Sequence, residues 1–121
     1  MADPRHRLGL EAEAVVAAQL VSAGWLVLAR RHRAADGELD LVCLDPGMVL
    51  VGVEVRARRS ARSGSAIESV DRRKVARLRA GLMAYATRER PRHRGIRLDL
   101  VTVERAEAGW RMVRHEGIDA W

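Results

Sequence analysis

"GELDLVCLDPGMVLVGVEVRAR", residues 37–58, holds two apolar runs of strand character on either side of Asp45-Pro46-Gly47. Valine and leucine suit strands of a buried sheet, and proline followed by glycine suits a tight reversal. The stretch therefore predicts a hairpin: one strand over 39–44, a turn in which Gly47 accepts a positive φ, and a returning strand over 48–56. Side chains alternate along a strand, so Glu38, Asp40 and Val42 are expected on one face of the first arm, Glu54 and Arg56 on one face of the second. With the turn centred on Pro46-Gly47, Asp40 falls opposite about Val53, which leaves Asp40 and Glu54 near neighbours.

Upstream, Leu8, Ala12, Val15-Val16, Leu20 and Ala23 recur at helical spacing after an irregular start. They predict a helix over about 7–23, ended by Gly24. Trp25 to Leu28 reads as a strand, followed by the basic Arg30-Arg31-His32-Arg33 and a turn at Ala35-Asp36-Gly37. Downstream, 58–69 is a polar loop without periodicity. Asp71 then caps a helix in which Val75, Leu78, Leu82 and Tyr85 or Ala86 recur, reaching about residue 87. A charged connection containing Pro91 leads to a strand over 96–104 and a weaker one over 109–115. The order α-β-β-β-α-β-β predicts a single α/β domain, 1–121 with its core at about 7–104, in which a small mixed sheet is flanked by helices.

The chain has 121 residues, 48% of them hydrophobic, enough for one core. Its single cysteine, Cys43, excludes an internal disulfide. No signal-peptide core or membrane-length apolar run is present, so the expected location is cytoplasmic, away from membranes. Charge is segregated: residues 56–97 carry thirteen arginines and one lysine against three acids, a net of +11, leaving −5 for the rest. Such a segment attracts polyanions and releases their counterions, which points to nucleic acid ahead of a merely solvated face. Arg58, Arg59, Arg62, Arg72, Arg73 and Arg77 are the expected phosphate contacts. The four histidines are scattered without metal-ligand spacing and read as surface residues, Trp25 and Trp110 as core, and Trp121 as a residue for packing on a partner chain. No phosphate-binding glycine loop, dinucleotide fingerprint or serine nucleophile motif occurs.

Two carboxylates as close as Asp40 and Glu54 repel one another unless a cation sits between them, and Mg²⁺ or Mn²⁺ favours such oxygen ligands. A cation there can acidify water and stabilise charge on a phosphoryl group, so the chemistry suggested is phosphodiester hydrolysis. An edge hairpin whose charges simply face water meets the same bare pattern.

These residues resemble the YraN-like family of small bacterial proteins, which is similar to the archaeal Holliday-junction resolvases of the PD-(D/E)XK nuclease superfamily. GELDLV, 37–42, matches the family's Gly-Glu-Ile-Asp-Leu-Ile, and VEVRAR, 53–58, matches Val-Glu-Val-Lys-x-Arg. Gly9, Glu13, Arg33, Lys74 and RLDLV, 97–101, support the match, which runs from about Leu8 to Val103. The resemblance implies a restriction-endonuclease-like fold with Asp40 and Glu54 as metal-binding acids, Val55 lending a backbone carbonyl and Glu13 as an outer ligand. It also implies DNA ahead of RNA as the partner, and a homodimer. Glu38 reads equally as a metal contact or a solvated strand start, and Asp99 as a brace for Arg97.

Two departures matter. Ala12 stands where the family usually has glycine, and Arg56 stands where the superfamily has lysine. Arginine stays protonated, so it cannot act as a base, although it can stabilise charge or hold phosphate. Lys74, the one basic position that is not arginine, either approaches the carboxylates to do the work lost at position 56 or is an ordinary surface residue. The expected function is a Mg²⁺- or Mn²⁺-dependent nuclease acting on branched or structure-marked DNA. The alternative is a catalytically inactive nucleic-acid-binding protein of the same fold.

Overall fold

The computed structural model describes residues 3–34, 37–58 and 70–120. The expected turn at 35–36, most of the polar loop with Arg59 and Arg62, and Trp121 lie outside the described residues.

Helix α1 (Pro4–Ser22) begins before the expected start, because the Asp3 carboxylate accepts from Arg5 N at 3.0 Å and Pro4 occupies the first turn, where no N–H is needed. The stretch expected to be irregular is therefore helical. Gly24, at φ 91°, ends the helix as expected. Strand β1 (Leu26–Ala34) corrects a second expectation: Arg30-Arg31-His32-Arg33 is part of the strand, held by pairing to β2 (Gly37–Leu44) despite its composition. His32 is half-buried and meets the Tyr85 ring edge-on at 5.1 Å, so it is not the plain surface residue expected.

In the turn before β3 (Val49–Arg58), Asp45 Oδ1 accepts from both Gly47 N and Val49 N at 2.9 Å. The left-handed residue is Met48, at φ 67°, and not Gly47 as expected. Helix α2 (Arg72–Glu89) is capped by the Asp71 side chain, which accepts from Lys74 N at 2.8 Å. Strands β4 (Gly95–Ala106) and β5 (Gly109–His115) follow, then a short 3₁₀ helix (Ile118–Ala120) that the periodicity did not predict.

The five strands lie in the order β1-β2-β3-β4-β5. β3 and β4 are parallel, with α2 as their crossover, and the other pairs are antiparallel. One face packs on α1 through Val16, Leu20, Trp25, Leu41, Val53 and Val101. The other packs on α2 through Leu39, Val42, Leu50, Leu78, Leu82 and Leu98. Gly52 lets that second layer close: a Cβ there would meet Leu98 Cδ2 at 2.9 Å and Leu39 Cδ2 at 3.3 Å. The α/β expectation, a mixed sheet flanked by helices, is what the chain forms.

Candidate cation and nucleic-acid site

The decisive local event lies between β2 and β3. Their pairing runs from Leu44 opposite Leu50 to Leu41 opposite Val53, one residue away from the expected register. Beyond Leu41, β2 stays paired with β1 while β3 continues beside β4, so the sheet opens into a notch. Strict alternation also fails here: Leu39 and Val42 pack towards α2, whereas Leu41 and Cys43 pack towards α1. Asp40 sits at that reset, and it lines the α2-side cleft with Glu54 and Leu78, on the side to which Val42 packs, while Leu39 departs from the alternation. Level with it on β1, between the Arg30–Leu41 and His32–Leu39 pairs, Arg31 adopts a left-handed backbone at φ 47°. Such strain in a non-glycine residue clusters at functional sites. Only the φ reveals it; no sequence signal marked Arg31.

Asp40 and Glu54 meet in the notch. Asp40 Oδ2 accepts from Val55 N at 2.8 Å, replacing a ladder bond lost where the strands part. The side chain of Val55 packs into the layer under α1. Glu54 points to the α2 side, only 5% exposed, and its Oε1 accepts from Arg56 Nη1 at 2.9 Å. Its Oε2 is buried without a hydrogen-bond partner among the described residues. Burial, then the Asp40 carboxyl within hydrogen-bonding reach, pushes the Glu54 carboxyl up to about 9. Two facing acceptors need a proton or a cation between them.

These acids line a cleft of about 390 Å³ together with Gly37, Glu38, Arg56, Lys74, Arg77 and Leu78. Lys74 Nζ stands 4.0 Å from Glu54 Oε1, so of the two positions open to it the lysine takes the one beside the carboxylates. Arg77 is both an exposed helix residue and part of the cleft wall. Arg72 and Arg73 are exposed on the first turn of α2. Glu38 lines the mouth, 4.0 Å from Arg33.

Glu13 lies in a separate, smaller cleft with Arg30 and Arg31. Burial and then Asp40 raise its pKa, so it feels the notch electrostatically. Arg58 lines a third cleft with Arg7, Glu11 and Arg105, away from the acids. Among the described residues no three histidine, cysteine, aspartate or glutamate side chains are grouped to hold a metal ion. The notch thus offers two carboxylates, hard oxygen donors that fit Mg²⁺ or Mn²⁺ if water and phosphate complete the shell.

Asp99 is organised differently. It is fully buried on the α1 side and takes Arg97 Nε at 2.8 Å, Arg97 Nη2, Arg114 Nη1 and Gly117 N at 3.0 Å each. Arg97 is held still more firmly protonated by that pair, and Trp25 lies beneath both guanidiniums.

No described helix is long and apolar enough to cross a membrane. A model of the uncharacterised protein family UPF0102 matches residues 12–103. A UPF0102 protein of Deinococcus radiodurans is 45% identical over 97 residues, 79% of each chain. One of Anaeromyxobacter dehalogenans is 44% identical over 101 residues, 84% of this chain and 75% of that one. A UPF0102 protein of Bordetella avium is 40% identical over 108 residues, 89% of this chain and 74% of that one. Among solved structures, SfsA of Pyrococcus furiosus in complex with Ca²⁺ is similar over 93% of this chain and 63% of that chain, with 12% identity and a TM-score of 0.34.

Proposed function

From the premise that the chain belongs to the uncharacterised protein family UPF0102, the YraN family, we propose that it is a metal-dependent nuclease of the PD-(D/E)XK type acting on DNA. The observation that carries this reading is the half-compensated Glu54: a buried carboxyl group, one oxygen without a donor among the described residues, beside Asp40 and under a cationic helix. A structural acid would be expected to have its oxygens satisfied, as those of Asp99 are.

In this reading Asp40 and Glu54 hold Mg²⁺ or Mn²⁺, and the Val55 N–H fixes the orientation of Asp40. The cation would supply polarisation of the phosphoryl group and acidification of water. Arg56, Lys74 and Arg77 line the same cleft and supply positive charge where the phosphate acquires negative charge in the transition state. Water adds its oxygen to phosphorus and releases a proton to solvent, the bond to the leaving sugar oxygen breaks, and that oxygen takes up a proton from solvent. Arg72 and Arg73 extend the positive surface along the DNA backbone, positioning it without reading bases. A dimer would suit a branched, two-fold substrate.

One observation favours a second reading, a nucleic-acid-binding protein without turnover: Arg56 already occupies one oxygen of Glu54 at 2.9 Å. The experiment that separates the two is Mn²⁺-dependent cleavage of single-stranded, flapped and four-way-junction DNA by the wild type, Asp40→Ala and Arg56→Lys. Wild-type cleavage lost in Asp40→Ala is the expected result. Cleavage that appears only in Arg56→Lys would establish the second reading, and none in any variant would end the nuclease assignment.

A further inference from the structure

Arg56 is the nearest cation to the acid it would have to release. Its Nη1 lies 2.9 Å from Glu54 Oε1, and Lys74 Nζ lies 4.0 Å from the same atom. Both side chains are 29% exposed, whereas Glu54 is 5% exposed. The carboxylate is thus fixed in the floor while both cations reach the mouth of the cleft. A divalent cation arriving alone brings two positive charges to acids already faced by a guanidinium and an ammonium, and must compete with Arg56 for Oε1. A phosphodiester changes that balance. The planar guanidinium pairs with phosphate oxygens in the bidentate manner it uses for carboxylates, and is less strongly hydrated than an ammonium.

Resting on the cation site proposed above, we infer that Arg56 couples the binding of the cation to the binding of nucleic acid. It closes on Glu54 in the empty cleft and transfers to a backbone phosphate when nucleic acid enters. The consequence is thermodynamic: DNA raises Mn²⁺ affinity, and Mn²⁺ raises DNA affinity by the same factor. The chain would then take up its cation together with its substrate. Lysine at position 56, with a compact ammonium and no fork, would give a weaker coupling.

Two measurements on the full chain test this. Calorimetry gives the Mn²⁺ affinity of the wild type, Arg56→Gln, Arg56→Met and Asp40→Ala without DNA. Fluorescence anisotropy gives the affinity of each for a nanomolar labelled four-way junction with and without Mn²⁺, strand integrity being checked on a denaturing gel. The expected result is weak Mn²⁺ binding by the wild type, tightened roughly tenfold in both Arg56 variants, together with wild-type DNA affinity that rises roughly tenfold with Mn²⁺ and variant affinity that does not. A structural role for Arg56 would not tighten Mn²⁺ binding. Using both Arg56→Gln and Arg56→Met, with circular dichroism on each, separates lost coupling from lost folding. If Asp40→Ala weakens Mn²⁺ binding but neither Arg56 variant tightens it, or if DNA affinity of the wild type ignores Mn²⁺, the coupling is overturned while the cation site stands. If Asp40→Ala binds Mn²⁺ as the wild type does, or no variant binds it with or without DNA, the cation site falls and the coupling falls with it.

Discussion

Glu54 and Asp99 sit one rung apart on the paired strands β3 and β4, and they face opposite sides of the sheet. Both are acids in a hydrophobic interior. Asp99 receives four hydrogen bonds from two arginines and a backbone amide, and it ties β4 to β5 and to the segment beyond. Among the described residues Glu54 receives one, from Arg56, and its other oxygen has no donor and lies beside another carboxylate. The same residue class in the same layer of strands therefore does two jobs. A compensated acid stabilises the fold; an uncompensated one is maintained at a cost and is where a ligand gains most by binding.

The comparison breaks most visibly at its satisfied end. Asp99→Asn should destabilise the protein by about 3 kcal/mol, because Arg97 and Arg114 lose a buried counter-charge. Urea unfolding measures this, and a change within error would mean that Asp45 and Glu116, the other partners of Arg97, suffice. At the other acid the sign reverses. Glu54→Gln should stabilise the cation-free protein at pH 8 by about 1–2 kcal/mol, since it removes a buried acid that must hold a proton the unfolded chain gives up.

That second effect carries a pH signature. The carboxyl is held at about 9 in the folded chain against an ordinary 4.5, so the native state keeps a proton that the unfolded state loses. Its stabilising contribution is complete below about 4.5 and is lost as pH rises through about 9. Wild-type stability should therefore fall relative to Glu54→Gln across that window in the absence of cation. Parallel unfolding curves at pH 5, 7 and 9 would show that Arg56 alone compensates the charge. With Mn²⁺ present the order should invert, because only the wild type gains binding free energy.

Gly52 tests the packing that presents Glu54. Gly52→Ala places a methyl group 2.9 Å from Leu98 Cδ2, and should cost about 1–2 kcal/mol while pushing α2 and Lys74 away from the notch. Thermal melts read the first effect, Mn²⁺ titration the second. The smallest effect belongs to Arg31→Asn, where a residue that tolerates the left-handed region relieves the backbone strain. A gain of about 0.5 kcal/mol is expected, and a loss would mean that the Arg31 side chain stabilises the notch.

Most of the architecture was legible because it is local. Asp71 and Gly24 were readable as helix ends, and the helical spacing of Val75, Leu78, Leu82 and Tyr85 marked the face that packs on the sheet. The strand through Arg30-Arg31-His32-Arg33 was not legible, since its arginines are tolerated only by an exposed edge. The acids Asp40 and Glu54 were found from strand alternation and spacing. Their register was one residue off because the turn centres on Gly47, with Met48 as its left-handed residue, and not between Pro46 and Gly47.

By itself the sequence determined the order of elements, the hairpin, the helix caps, the segregation of positive charge and the family, all of which rest on periodicity, turn chemistry and residue identity within a few positions. Tertiary structure decided the rest. It parted β2 from β3 at Asp40, brought Lys74 from α2 to within 4.0 Å of Glu54, and closed Arg56 onto the same oxygen. It also separated two buried acids into a satisfied one and an open one. The physical reason is that burial and hydrogen bonding are set by groups far apart in the chain: Arg114 and Gly117 complete Asp99 from beyond β4, and no such donor reaches the Oε2 of Glu54 among the described residues.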